Sequence, residues 1–570
     1  MDFELITGGA GSGKSSYVED KIEECISSGM RAAVIVPERF SHMEEATLCR
    51  RFGGLGVNSV EVTSFSKLAQ RLAPHGEYLQ RSGRQMLVMK AAKKNEDAGD
   101  GIFLSAAGSA GFVDNAARAI SEFKHCLIEP DALCAFDGED ILSRKMRAIG
   151  AIYSDFNAML GKGLADPDED MALLAAQLEE EGGFYDTRFF IDGFSDFLPS
   201  HYAVISALIK RAAGVSVVLT LNDGALRDPG GLFAPPARSA ARLEAIARDL
   251  GARISHRHLP GEFSYIKAPD IKYFLKNYDE YTPGGQVPAC ENISVTRISD
   301  RQAEVEWVAG RIMHEVRENG RRFRDIAVMA GDGGAYESII DAVFPECGIP
   351  YFTDRSKPAS AHPIIRLVSS VFGVIEQNFS QNAVFEYLRS GLIYRENSDG
   401  SVTGILPQSL DKLELFVSSR GIRGKKKWLS EEAWQDKKGG IFDEVTNKGR
   451  EFGSVEELDA LRRELMMPFV HFLEKIGGRR RVRELCEGLV GFLREINLYR
   501  GLMLEQKRFE EKNMLGEAAR LSEVWEVLCG ALDQCVLTSG EEFVSREDFV
   551  RLLETGLSKC KLDSVPPGSD

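Results

Sequence analysis

Gly8-Gly9-Ala10-Gly11-Ser12-Gly13-Lys14-Ser15, with Ser16 directly after it, fills every position of the pattern G-x-x-x-x-G-K-[ST]. Glycines let the backbone curl so that several N–H groups face one phosphate chain. Lys14 is placed to reach the outer phosphates, and the Ser15 hydroxyl to hold Mg²⁺. The context is the one this chemistry needs. Phe3-Glu4-Leu5-Ile6-Thr7 reads as a short buried strand, and residues 16–26 read as a helix with Tyr17, Ile22 and Ile26 near one face. Gly8 to Ser16 are therefore the candidate nucleotide-binding residues, with ATP and Mg²⁺ as the implied ligands. Binding does not by itself imply hydrolysis.

Working outward, residues 1–70 alternate strand and helix. Ala32-Ala33-Val34-Ile35-Val36 stops at Pro37, a helix is expected over residues 44–51, and Val60-Glu61-Val62-Thr63 follows. Such alternation implies a parallel sheet with its site at the C-terminal ends of the strands. Residues 75–180 change to helical periodicity, over 84–94, 110–125 and 142–160. Strand signals return at Phe189-Phe190-Ile191-Asp192 and Val215-Ser216-Val217-Val218-Leu219-Thr220. A second α/β block is expected from Ile293-Ser294-Val295-Thr296, with a helix over 301–319 and strands at Ile326-Ala327-Val328-Met329 and Ile349-Pro350-Tyr351-Phe352. The expected domains are 1–74 plus 184–290, a helical insertion at 75–183, an incomplete second domain at 291–375, and a second insertion at 376–570.

Composition sets outer limits. A chain of 570 residues with 44% hydrophobic content holds several globular domains, and no apolar run approaches the ~20 residues of a membrane span. Ten cysteines are scattered singly without C-x-x-C, which points to buried thiols in a reducing cytoplasm. A net charge of −16 argues against a chain coated by nucleic acid but leaves room for a local basic channel. Among the basic clusters, Arg423 and Lys425-Lys426-Lys427 beside Trp428 are the best candidates for phosphate contact with base stacking. A solvated surface is the competing reading.

A phosphate loop also needs an acidic residue at the end of a neighbouring strand to hold Mg²⁺ through water. Asp192 fits. Motor ATPases place Glu directly after this Asp as the base for the attacking water. Here that position is Gly193, so weak hydrolysis is expected beside intact binding.

Ile191-Asp192-Gly193-Phe194-Ser195-Asp196, with Pro199 and Tyr202, resembles the V-D-E-F-Q-D-x-x-P-x-Q-Y segment of superfamily 1 helicases of the UvrD type, with Gly193 and Ser195 replacing Glu and Gln. Over its length the chain resembles more closely the AddB family, the second subunits of AddAB helicase–nucleases. That likeness is carried in order by Gly8–Ser15, Val36-Pro37-Glu38, Val62–Ser66, Ile120–Lys124 with Pro130, Ile191–Phe194, Arg324–Val328, Gly348–Arg355, His362-Pro363, Gly421–Gly424 before Trp428, and Val565-Pro566-Pro567. It implies an α/β, RecA-like, superfamily 1 helicase-type architecture of two parallel-sheet domains, each with a helical insertion.

It further implies an AddA-type motor subunit as heterodimer partner, double-strand DNA ends and single-stranded DNA as substrates, and scanning of one strand for a recombination hotspot. A nuclease domain with an iron–sulfur cluster is expected beyond Asp570, which makes this chain a fragment without nuclease activity of its own. An upstream adenine-recognition segment is expected to be absent. So are the γ-phosphate-sensing Gln after Thr220, where Leu221-Asn222-Asp223 stand, and the arginine after Met329, where Ala330-Gly331 stand. By the same resemblance Arg39, Phe40, Ser64, Phe65 and Ser66 face DNA, with Phe65 stacking on a base unless it packs in the core. A P-loop phosphotransferase and a scaffold with a vestigial loop remain the alternatives.

Overall fold

The computed structural model describes residues 1–56, 59–73, 76–96, 101–106, 108–161, 163–180, 183–222, 231–260, 266, 268–278, 286–352, 357–434, 454–558 and 560–562. The chain forms two compact units. One comprises Met1–Tyr78, Asn95–Leu104 and Asn115–Arg297; the other comprises Leu79–Lys94, Ser105–Asp114 and Ile298–Asp570.

The first unit is built on six strands: β1 (Asp2–Gly8), β2 (Arg31–Ile35), β3 (Val60–Thr63), β4 (Phe184–Ile191), β5 (Ala212–Thr220) and β6 (Arg253–Leu259). Their order is β3-β2-β4-β5-β1-β6 and every pairing is parallel. The central strands run as near-continuous apolar stretches because both faces are covered, whereas β6 at the edge is polar and mostly exposed. Alternate side chains enter two separate cores. Ile6, Val34, Phe190 and Val218 pack under Val18 and Ile22 of helix α1 (Lys14–Ser27) and Leu48 of helix α2 (Ser41–Gly56). Leu5, Ile35, Ile191 and Val217 pack on the opposite face, against helices Phe65–Leu72, Asp170–Glu180, Pro199–Arg211 and Ala234–Asp249. The α/β class read from the sequence is thus the one observed.

The helices expected at 110–125 and 142–160 form as Ala110–His125 and Ile141–Leu160, the latter capped by Asp140, whose carboxylate accepts from the Leu142 and Ser143 N–H groups. Lys124, from the Ile120–Lys124 segment, is buried and donates to Asp166 at 2.6 Å and Glu169 at 2.5 Å. A buried ammonium survives only where carboxylates answer it. That segment therefore ties the inserted helices together.

The second unit is largely helical. Arg301–Arg317 begins on an Asp300 cap, close to the expected 301–319. The strands expected at 293–296, 326–329 and 349–352 do not form. These residues are extended or irregular, and Val295 and Met329 are 97% and 96% exposed. Short apolar runs report a preference for extended backbone, but a strand also needs a hydrogen-bonded neighbour. Among the described residues no neighbour pairs with them, so the only parallel sheet of more than two strands among those residues is that of the first unit. Segments 353–355 and 565–567 lie outside the described residues. No helix among the described residues is long and apolar enough to cross a membrane.

Candidate nucleotide site

Strand β1 ends at Gly8 and α1 begins at Lys14, so residues 9–13 make the whole turn. Gly11 and Gly13 adopt φ of +75° and +89°, a conformation that L side chains resist. Gly8 and Gly9 are required for space. A Cβ on Gly8 would stand 2.7 Å from the Leu259 carbonyl oxygen, and one on Gly9 would stand 2.5 Å from Asn222 Oδ1. The turn is closed by Ser12 N–H donating to Gly9 O at 3.2 Å. Lys14 Nζ arches over it and donates to Gly8 O at 2.9 Å and Gly9 O at 2.7 Å.

This loop fits a phosphate chain. No side chain caps the start of α1 and no acid stands in its first turn, so its free N–H groups and positive end are left for an anion. Ser12 Oγ is buried without a hydrogen-bond partner, a polar atom still to be satisfied. Ala10, Ser15 and Ser16 are exposed at the turn and the helix start.

Asp192 lies just beyond β4. Its N–H donates to Ile35 O at 3.0 Å, and its Oδ1 accepts from Gly193 N–H at 2.6 Å. One expectation is corrected: β4 is not adjacent to β1, because β5 lies between them. Asp192 and Lys14 nonetheless face one another. Burial lowers the Lys14 pKa and the charge of Asp192 opposes that. Burial raises the Asp192 pKa, while the Gly193 N–H and the charge of Lys14 pull it back. Ser15 and Asp192 are the residues that would hold Mg²⁺, which when bound neutralises phosphate charge.

Gly193 holds φ at +83°, and a Cβ there would stand 3.1 Å from Pro37 Cδ and 3.9 Å from Phe40 Cδ2. The position that motors fill with Glu is therefore strained for any side chain, by its backbone and by a tight contact with Pro37. Asn222, near where a motor carries its γ-phosphate sensor, has its amide oxygen against Gly9 instead. Asp223 lies outside the described residues.

The candidate DNA residues divide. Arg39 is exposed, with its guanidinium 4.8 Å from the centre of the half-buried Phe40 ring. Ser66 is exposed. Ser64 is buried, and its hydroxyl accepts from Lys67 N–H at 3.2 Å as the cap of helix Phe65–Leu72, so its first role is to start that helix. Phe65 is a correction: it is 4% exposed, edge-on to Phe194 at 5.5 Å and stacked on His201 at 4.9 Å, so it belongs to the core rather than to a base. Burial, with His125 nearby, lowers the His201 pKa to about 4, and its Nδ1 accepts from Leu198 N–H at 3.2 Å.

In the second unit Arg423, Lys425, Lys426 and Lys427 line one stretch of chain around Gly424. Lys425, Lys426 and Lys427 lie at its surface, Lys427 donating to Gly421 O at 3.0 Å. Trp428 is a second correction. It is 0% exposed, between Phe385 and Trp434 with ring centres at 6.2 and 5.7 Å, and cannot stack on a base. Sequence reasoning missed Asn222 and Leu259 as walls of the loop, because topology alone sets them beside it.

Residues 5–274 match the family model described as ADDB, N-terminal. The whole chain is similar to proteins named as the B subunits of ATP-dependent helicase/deoxyribonucleases. The identity is 30% to the one from Clostridium acetobutylicum, 30% to that from Clostridium tetani and 29% to that from Acetivibrio thermocellus. Each alignment covers 100% of this chain and 50% of the relative, so the chain spans about half the length of the curated relatives it matches. With its phosphate-loop sheet, its altered Asp192-Gly193 segment and similarity along its whole length, the chain is similar to the AddB proteins.

Proposed function

We propose that this chain is the helicase-like, ATP- and DNA-binding part of a heterodimeric helicase–nuclease that processes double-strand DNA breaks for homologous recombination. In this reading an AddA-type subunit is the motor, and this chain contacts one strand and scans it for a hotspot sequence. ATP is held as a structural or regulatory ligand and is poorly hydrolysed. The observation that carries the reading is a complete phosphate loop beside Gly193, which stands where a motor has the carboxylate that activates water and whose positive φ disfavours any side chain there. The relatives' name supplies the helicase–deoxyribonuclease context.

The roles of the chain's own residues follow. The loop N–H groups and Lys14 bind phosphate, and Ser15 with Asp192 orients the cation. Arg39, Ser66, Arg423, Lys425, Lys426 and Lys427 offer contacts to the DNA backbone.

The test is ATP titration and DNA-stimulated turnover of the chain and of Lys14→Ala. Binding that Lys14→Ala abolishes, with negligible turnover, is the expected outcome. A robust DNA-stimulated ATPase lost in Lys14→Ala would overturn the passive reading, and absence of ATP affinity would favour a scaffold. Affinity for DNA ends should fall steeply with salt.

A further inference from the structure

Position 193 is not the only place from which a carboxylate can reach the metal side of the loop. Strands β1 and β2 are parallel members of one sheet, so the helices that follow them, α1 and α2, run away from the same rim. Their mutual face is fixed at two levels. Leu48 of α2 is buried with Val18 and Ile22 of α1. One turn further on, Arg51 pairs with Glu19 and Asp20, and with Glu23 at 3.6 Å.

Glu44, Leu48 and Arg51 have i, i+4, i+7 spacing and share that face. Arg51 meets Glu19 and Asp20 about one helical turn beyond Ser15 and Glu23 about two turns beyond it, and Glu44 lies two turns before Arg51, which sets it toward the end of α1 that carries Ser15. The entry to α2 is pinned from the other side. Asp192 N–H donates to Ile35 O, Pro37 and Phe40 pack on Gly193, and Ser41 Oγ donates to Glu38 O at 2.7 Å.

We propose that Glu44 is the second metal-side carboxylate of the nucleotide site, joining Ser15 and Asp192 in holding, through water, the Mg²⁺ of a bound nucleotide. This rests on the reading of the loop as a nucleotide site. Glu44 is half-buried and has no hydrogen-bonding or ion-pairing partner among the described residues, whereas its neighbour Glu19 is committed to Arg51. Burial pushes the Glu44 carboxyl above its usual range, and the charges of Asp192 and Glu19 push it the same way. A half-buried carboxylate with no cationic partner among the described residues is open to a cation. Lys14, the basic residue of the loop, is turned onto the loop carbonyls instead. A nucleotide-bound Mg²⁺ takes phosphate oxygens and water besides one or two carboxylates, so few protein ligands are needed.

The test is calorimetric titration of ATP into the 570-residue chain, once with Mg²⁺ and once with a chelator, for wild type, Glu44→Gln, Glu44→Asp, Glu45→Gln and Lys14→Ala. Glu44→Gln should lose at least about tenfold of the tightening that Mg²⁺ gives. Its affinity for metal-free ATP should stay equal or rise, because one negative charge opposite the phosphates is gone. Glu44→Asp should recover part of the Mg²⁺ effect, and Glu45→Gln, a neighbour on another face of α2, should match wild type. Thermal melting shows whether each variant is folded, and Glu44→Gln should melt no lower than wild type. Full retention of the Mg²⁺ effect in folded Glu44→Gln overturns the proposal. Absence of ATP binding by wild type, or indifference to Lys14→Ala, overturns the nucleotide reading beneath it instead.

Discussion

At Gly193 the backbone decides which chemistry the site can host. A residue at φ +83° with Pro37 Cδ 3.1 Å from its missing Cβ is over-determined as glycine. Restoring the motor's carboxylate by Gly193→Glu should therefore fail twice. The strain and the clash should cost about 1–3 kcal/mol in an unfolding titration. ATP turnover should stay at the Gly193 level, because the side chain can enter only by displacing the segment that sets Phe40. A folded Gly193→Glu with raised turnover would show that the position is permissive. Residues 8–16 and Asp192 were legible in the sequence because their chemistry is carried by consecutive residues or by a strand end. The role proposed for Glu44 was not, since it rests on helix packing. Phe65 and Trp428 were ambiguous because an aromatic in a motif reads alike whether it stacks on a base or fills a core.

Elements show the same division. Five of the six sheet strands could be read from apolar runs that end at Pro37, Ser64, Asp192 or a glycine turn, as doubly covered parallel strands require. β6 was missed because Arg253–Leu259 carries Ser255, His256, Arg257 and His258 and lies at the sheet edge, mostly exposed. The reverse error fell at 326–329, where local composition promised a strand that no described neighbour completes. The short helix Lys425–Leu429 shows how an element can wear two faces. Its lysines lie at the surface, while Trp428 is enclosed, its carbonyl accepts from Arg462 at 3.0 Å, and Trp434 Nε1 donates to Lys427 O at 3.0 Å. Trp428→Ala should then cost about 3–5 kcal/mol of stability. A triple Lys425→Ala, Lys426→Ala, Lys427→Ala variant should melt as wild type and lose affinity for DNA ends at low salt. If Trp428→Ala left stability intact and removed only DNA binding, the core assignment of this helix would be wrong.

At the scale of the whole molecule, the candidate nucleotide site belongs entirely to one of the two compact units. The loop continues β1, which is hydrogen-bonded to β5 and β6, and Leu221 N–H donates to Gly8 O at 3.1 Å. Any opening that separates β1 from β5 must dismantle the loop and release what it holds. A ligand bound only to the closed form stabilises it by RT ln(1 + [L]/Kd), about 2.7 kcal/mol at a hundredfold excess over Kd. Amides of Leu5, Ile6 and Val217 should therefore exchange up to about a hundredfold more slowly in saturating Mg·ATP. Helix Val455–Lys475 of the second unit, which carries none of the site residues, provides the internal reference and should keep its exchange rates. Lys14→Ala should erase the slowing without changing the rates measured without nucleotide. Protection that appeared only in the Val455–Lys475 helix would mean that the nucleotide binds elsewhere, and the loop at Gly8 to Ser16 would lose its assigned role.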